Sequence, residues 1–195
     1  MNREKQIWEE VDSELLIQLR ELYQELSRRM KDKWNRSFPL DDLMCDRWER
    51  ARQLGFGEGT SIYHNSYVYG DVTVGKNTWI GPFTVLDGSG GPLRIGNNCS
   101  IAAGAQIYTH DTSKMIATSY TRSVDQAPVE GGGVLIGDYC VVGAQVVIRR
   151  GVRMGDHSIV GACSFVRYSI EPYCIYGGVP AQLIGRVGEA KSGGE

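Results

Sequence analysis

The run Ile107-Tyr108-Thr109-His110-Asp111 ends in an imidazole followed by a carboxylate. Imidazole is the side chain best suited to moving a proton near neutral pH, so His110 is the candidate general base. The chain has three histidines; His64 lies in the first hexad and His157 in the turn Gly155-Asp156-His157-Ser158, and both are read as outward-facing. Two carboxylates could orient the ring of His110: Asp111, its neighbour in the chain, and Asp87, if the elements bring it one layer away. An Asp that leaves a corner often bonds its own backbone instead, so both stay open. Arg149 and Arg167 lie 18 residues apart. If positions at that spacing stack, the two guanidinium groups repel unless an anion or solvent screens them, which reads either as an anion site or as a solvated ladder.

The elements that must hold these groups are announced by an internal period of six. Branched or long aliphatic residues stand at Ile62, Val68, Val74, Ile80 and Leu86, then at Ile95, Ile101 and Ile107, then at Ile136, Val142, Ile148, Met154, Val160 and Val166. Small or β-branched residues follow four places later, and glycine often follows directly. Such a sustained repeat marks a solenoid, whose units bury a continuous core only by stacking. Three hexads make one coil of 18 residues, with the aliphatic side chain filling a triangular interior and successive coils pairing as parallel strands about 4.8 Å apart. The expected fold is mainly β: a parallel β-helix of roughly five coils. Counting faces across both interruptions of the period puts Leu86, Ile107, Ile148 and Val166 in one row, and therefore Asp87, Tyr108, Arg149 and Arg167 in one column.

Those interruptions differ in size. Asp87-Gly88-Ser89-Gly90-Gly91-Pro92 lacks the lysine and helix of a phosphate-binding loop and reads as a corner loop. The longer break, 111–134, reads as an extruded loop carrying Lys114, Tyr120, Arg122, Asp125 and Glu130, placed to cover a site beside His110. Before the coil, Trp8, Val11, Leu15, Leu19, Leu22, Leu26 and Met30 recur at three and four, the period of an amphipathic helix over Glu4 to Trp34. Asp41-Asp42 and Gly55 bound a second helix over Leu40 to Leu54. The expected division is a helical segment 1–58, a coil domain 59–187 and a flexible tail 188–195.

A net charge of −2 argues against nucleic acid or an anionic membrane as an electrostatic partner. No signal peptide or long apolar run is evident, so no integral membrane segment is expected and a cytoplasmic location is the default reading. The five cysteines show no metal-ligand spacing. Cys99 and Cys140 occupy small inward positions, and free thiols are expected.

The hexads, the run Ile107 to Asp111 before an extruded loop, the pairs Val142-Gly143-Ala144 and Val160-Gly161-Ala162, and the ending EPYCIYGGVPAQLIGRV together resemble the left-handed β-helix hexapeptide acyltransferases. The likeness covers about Gly59 to Val187 and is nearest to bacterial sugar O-acetyltransferases of polysaccharide and lipopolysaccharide biosynthesis. It implies a homotrimer that takes acetyl-CoA in a groove between coils, with no metal and with His110 as the base for a sugar hydroxyl on a glycan or nucleotide-sugar acceptor. By the same likeness Gly143, Ala144, Gly161, Ala162, Pro180 and Ala181 correspond to groove positions. Arg149, Arg150, Arg167 and Arg186 are candidates for the anionic end of the cofactor, although Arg149 and Arg167 depart from the small or polar residues commoner there. Asp87 and Tyr108 are candidate acceptor contacts, and Asp111 a candidate catalytic partner of His110.

Three rival readings stay open. The acceptor could be the amine of a nucleotide-linked amino sugar, which needs less activation. The coil could be a non-catalytic assembly module. A metal enzyme of the γ-carbonic anhydrase kind needs three clustered histidines, and Met115 stands where one would be required.

Overall fold

The computed structural model describes residues 13–113, 117 and 130–188, which form two compact units, Met1–Asp46 and Arg47–Glu195. In the first unit α1 (Ser13–Trp34) is the amphipathic helix of the sequence pattern; Trp8 and Val11 lie outside the described residues. None of its residues is buried, and Leu15, Leu19 and Leu22 are exposed. The second expected helix is two. The backbone turns extended at Cys45 after α2 (Leu40–Met44), and α3 (Arg47–Gln53) starts afresh behind Asp46, a residue type that favours helix starts. The helix α3 belongs to the second unit, so the compact division falls after Asp46 rather than after residue 58.

The second unit is a coil with three faces. On the first face lie β1 (Ser61–Ile62), β3 (Trp79–Ile80), β5 (Ser100–Ile101), β10 (Val141–Val142) and β13 (Ile159–Val160), all parallel and continued by β15 (Cys174–Gly177). On the second face β2 (Tyr67–Val74), β4 (Val85–Ile95), β6 (Gln106–Tyr108), β11 (Val147–Ile148) and β14 (Phe165–Val166) put Val68, Leu86, Ile107, Ile148 and Val166 in one row. The third face takes the far ends of β2 and β4, then β9 (Val134–Ile136) and β12 (Arg153–Met154). The row of Leu86, Ile107, Ile148 and Val166 is the one counted from the sequence.

The pattern closes because each hexad contributes one inward aliphatic. Ile62, Ile80, Leu86, Ile101, Ile107, Val142, Ile148 and Val160 are completely buried, and of the series only Val68 is merely half-buried. The small positions behave alike: Ala105, Cys140, Val146 and Ser158 are fully inside. At one corner their polar atoms form a directional ladder. Thr60 Oγ1 donates to Gly75 O at 2.6 Å, Thr78 Oγ1 to Gly96 O at 3.0 Å, Cys99 Sγ to Gly137 O at 3.1 Å, Cys140 Sγ to Gly155 O at 3.2 Å, and Ser158 Oγ to Glu171 O at 3.1 Å. All five cysteines are free thiols. Contact with the Cys99 thiol, together with burial, pushes the Cys140 thiol up, away from ionisation.

At the same corner Tyr139, His157 and Tyr173 each hold left-handed backbone, with φ of 57°, 58° and 59°. Their rings stack in a column, 4.8 Å between successive centroids. His157 is thus an element of packing between two tyrosines. Replacing it with alanine removes both ring contacts, and a loss of about 1–2 kcal/mol is expected in a denaturant titration.

The ends of the coil are closed differently. Ala51 of α3 and Phe56 join the buried core, and Arg50 donates to the carbonyls of Tyr63 and Ser66. At the other end β16 (Gln182–Arg186) runs back antiparallel on β15. No helix among the described residues is long and apolar enough to cross a membrane.

Candidate active site

The corner between the second and third faces collects every break in the six-residue period. On successive coils it is formed by Tyr69-Gly70-Asp71, then 87–92, then Tyr108 to Ser113 with Glu130 to Gly133, then Arg149-Arg150-Gly151, then Arg167-Tyr168-Ser169. The partner offset of 18 residues, as in Ile62 and Ile80, becomes 21 between Ile80 and Ile101 and 41 between Ile101 and Val142. The two interruptions therefore add three and 23 residues at one place in space.

The shorter interruption is a continuation of strand, which corrects the corner loop expected from its glycines. The strand β4 keeps extended backbone from Val85 to Ile95, pairing with β2 on both sides of a bulge between Gly70 and Val72. Three extra residues give β4 enough length to round the corner without a turn. The longer interruption leaves through β7 (His110–Asp111) and returns through β8 (Glu130–Gly131), an antiparallel pair. Lys114, Tyr120, Arg122 and Asp125 lie outside the described residues.

The extra strand length brings Asp87 to His110. Its Oδ2 lies 3.1 Å from His110 Nδ1, and the Asp87 side chain is only 7% exposed. Its Oδ1 accepts the Ser89 amide at 2.9 Å and, closer, the Ser89 hydroxyl. Ser89 Oγ also lies 3.4 Å from His110 Nδ1. A carboxylate only accepts hydrogen bonds, so a neutral His110 ring facing it carries its one proton on Nδ1 and keeps the lone pair of Nε2. That is the tautomer a general base needs. The dyad is pinned from beneath: Gly90 N donates to Oγ1 of the completely buried Thr109 at 3.0 Å, and Thr109 N donates to Asp87 O at 3.1 Å.

The Asp111 carboxylate is engaged elsewhere. It accepts the Ser113 amide at 2.8 Å and stands 3.8 Å from Arg149 Nη2. Hydrogen bonds from Ser113 hold its carboxyl below the usual carboxylate range, with Arg149 and Arg150 adding to the effect. Tyr108 stands in register with Asp87, presents its ring edge-on to His110 and donates its phenol to Gln106 Oε1 at 2.8 Å. Burial, the Asp87 charge and Tyr69 push that phenol up, so it stays a neutral donor.

His110 opens on a cleft of about 300 Å³, lined also by Tyr108, Asp111, Val147, Arg149, Arg150 and Phe165. It joins an apolar wall to two guanidinium groups. Arg150 pairs with Glu130 at the foot of the extruded segment, and its Nε is buried without a partner among the described residues.

Of the residues singled out from sequence, Asp87, Tyr108, His110, Asp111, Arg149 and Arg150 meet at this corner. Arg167 is one coil further along, over the Tyr168 ring at 5.4 Å. Ala181 N donates to the carbonyl of Phe165, so the 178–181 segment runs beside the cleft wall and carries Pro180 with it. Gly143, Ala144, Gly161 and Ala162 sit at the corner between the first and second faces, where a Cβ on Gly143 would lie 2.6 Å from Ala162 N. Arg186 is opposite Cys174 on the terminal strand pair. Sequence reading missed Ser89 and Thr109. The signal for Ser89 was present as Asp-x-Ser, in which an aspartate accepts the amide two residues on.

Comparison with known proteins agrees with this architecture. The family description "Bacterial transferase hexapeptide (six repeats)" matches residues 133–167. No curated protein matches the chain. Among solved structures it is similar to AntD, an N-acyltransferase from Bacillus cereus in complex with dTDP and 3-hydroxybutyryl-CoA, at 24% identity and a TM-score of 0.59 over 71% of this chain and 87% of that one. It is also similar to the hexapeptide-repeat-containing acetyltransferase VCA0836 from Vibrio cholerae, at 22% identity and a TM-score of 0.54 over 92% and 96% of the two chains. A complex of VCA0836 with acetyl coenzyme A matches at 23% identity, over 87% of this chain and 89% of that one, with a TM-score of 0.52. The matched repeats over residues 133–167, the three-faced parallel coil and these shared architectures show that the chain has the left-handed β-helix fold of the structures it resembles.

Proposed function

We propose that this protein transfers an acetyl group from acetyl-CoA to a sugar hydroxyl, with His110 as general base and Asp87 as the group that orients it. The observation that carries this reading is the Asp87-held imidazole opening on a cleft with an apolar wall and paired arginines. The acetyl coenzyme A complex of VCA0836 supports the choice of donor, and the 3-hydroxybutyryl-CoA complex of AntD supports a CoA thioester more broadly. In the reaction, Nε2 takes the proton of the acceptor hydroxyl while its oxygen forms a bond to the thioester carbonyl carbon. The C–S bond then breaks, and the imidazolium returns the proton to the departing thiolate. Asp87 stabilises the imidazolium in between. Asp111 serves by holding Arg149 at the cleft rather than by touching His110. The working form on this reading is a cytoplasmic homotrimer of the 59–187 coil domain, acting in cell-surface polysaccharide or lipopolysaccharide synthesis.

Calorimetric titration with acetyl-CoA tests the donor. Binding is expected, and Arg149→Ala is expected to weaken it about tenfold or more, the worth of one charge-assisted hydrogen bond. A folded protein that takes up no acetyl-CoA would refute the transferase reading and leave an assembly module.

A second reading is favoured by one finding: AntD is an N-acyltransferase crystallised with dTDP. On that reading the acceptor is the amine of a nucleotide-linked amino sugar. A neutral amine needs little activation, so substantial turnover in His110→Ala would select it.

A further inference from the structure

We infer that Ser89 is a positioning residue for His110, fixing the Asp87 carboxylate so that only one imidazole tautomer forms. The kinetic part of this inference rests on the acyl-transfer reading; the tautomer part does not. The period alone would carry the chain from Leu86 to its next inward residue in six steps, as it does from Val68 to Val74, but here Ile95 comes after nine. That extension contains the hydroxyl that meets the dyad. Asp87 Oδ1 takes both the amide and the hydroxyl of Ser89, leaving Oδ2 to face Nδ1 at 3.1 Å. With its own proton on Asp87, Ser89 Oγ turns a lone pair toward the same Nδ1–H from 3.4 Å.

Each contact removes a freedom the dyad would otherwise have. A carboxylate held on one oxygen only can rotate about its Cβ–Cγ bond, and a rotated Asp87 would let the imidazole exchange Nδ1–H for Nε2–H. The amide of residue 89 restrains that rotation and the Ser89 hydroxyl, the donor that truncation removes, adds the second hold on Oδ1, so the Nδ1 proton has acceptors on both sides. Gly90 shows how tightly the support is set against its target, because a Cβ there would lie 2.6 Å from His110 Cβ. Ser89 itself is exposed, so truncating it leaves no cavity.

The test is long-range ¹H–¹⁵N correlation of the imidazoles in ¹⁵N-labelled full-length protein at alkaline pH, with His64→Gln and His157→Gln spectra to assign the three rings. Wild type is expected to show His110 with a pyrrole-type Nδ1 and a pyridine-type Nε2. In Ser89→Ala the two shifts should move toward each other as the tautomers mix, and Ser89→Thr, which keeps the hydroxyl, should restore them. In turnover assays Ser89→Ala should lower kcat about tenfold, the lower end of what losing an orienting partner costs at metal-bound histidines. The KM for acetyl-CoA should stay unchanged, and threonine should again rescue. Wild-type nitrogen shifts in Ser89→Ala, or failure of threonine to restore them, would overturn the inference. Absence of turnover in wild type with every acceptor would instead count against the acyl-transfer reading, and the spectra would still decide the role of Ser89.

Discussion

Replacing His110 with alanine will lower turnover by about 10²- to 10⁴-fold while the protein still binds acetyl-CoA. The range follows from what a positioned base contributes to proton transfer. The retention of binding follows from the geometry: Val147, Phe165, Arg149 and Arg150 line the cleft from other coils and do not depend on the imidazole. Side-chain exposure of 31% leaves His110 open to an acceptor, so its loss does not open a core cavity and the variant should melt close to wild type. Steady-state release of CoA thiol alongside calorimetry separates the two effects. Equal losses in turnover and in acetyl-CoA affinity would place His110 in binding rather than in chemistry.

Adding one methyl group at Gly90 should cost nearly as much. A Cβ there would sit 2.5 Å from the carbonyl oxygen of Thr109 and 2.6 Å from His110 Cβ. Neither neighbour can yield cheaply, because the first is backbone fixed by Gly132 N at 2.9 Å and the second is the base itself. The opposing strand is as close, since a Cβ on Gly131 would lie 2.1 Å from Gly90 O. Gly90→Ala must therefore push His110 away from Asp87, and displacements near 1 Å cost about 10²-fold in a positioned reaction. The measurement is kcat beside the thermal midpoint. A midpoint lowered by a few degrees with kcat reduced about a hundredfold is the expected pattern, and unchanged kcat would show that the corner can relax without moving the base.

How far this could be seen in the letters alone depends on what repeats. The rows of inward residues were legible across both interruptions, because Leu86, Ile107, Ile148 and Val166 must share an interior of fixed width. Which carboxylate meets His110 was not. Asp111 is adjacent in the chain, yet along a strand alternate side chains face opposite ways, and Asp111 turns to Ser113 and Arg149. Asp87 comes from the previous coil through strand length that the period does not describe. Ser89 escaped notice for the same reason, and the helix break at Cys45 because Asp41-Asp42 and Gly55 mark only the outer ends of the stretch and say nothing of its middle. Regular stretches specify their neighbours by repetition; the irregular corner had to be seen folded, and it is the corner that gathers the chemistry.

The ladder of hydroxyls and thiols running from Thr60 to Ser158 gives the coil a sense of direction. Every donor points toward the following coil, so peeling away the first coil removes a donor and leaves a carbonyl that water can satisfy. Peeling away the last exposes a donor instead, and the single proton of Ser158 Oγ already has a shorter acceptor in its own turn, Gly155 O at 2.5 Å. The inner rungs have only longer local alternatives, 3.4 Å for Cys99 to Asn97 O and 3.5 Å for Cys140 to Asp138 O. Fraying from the C-terminal end thus disturbs the Ser158 rung least, because its proton has a short acceptor within its own turn, and the Cys140 rung more, because its local alternative is longer.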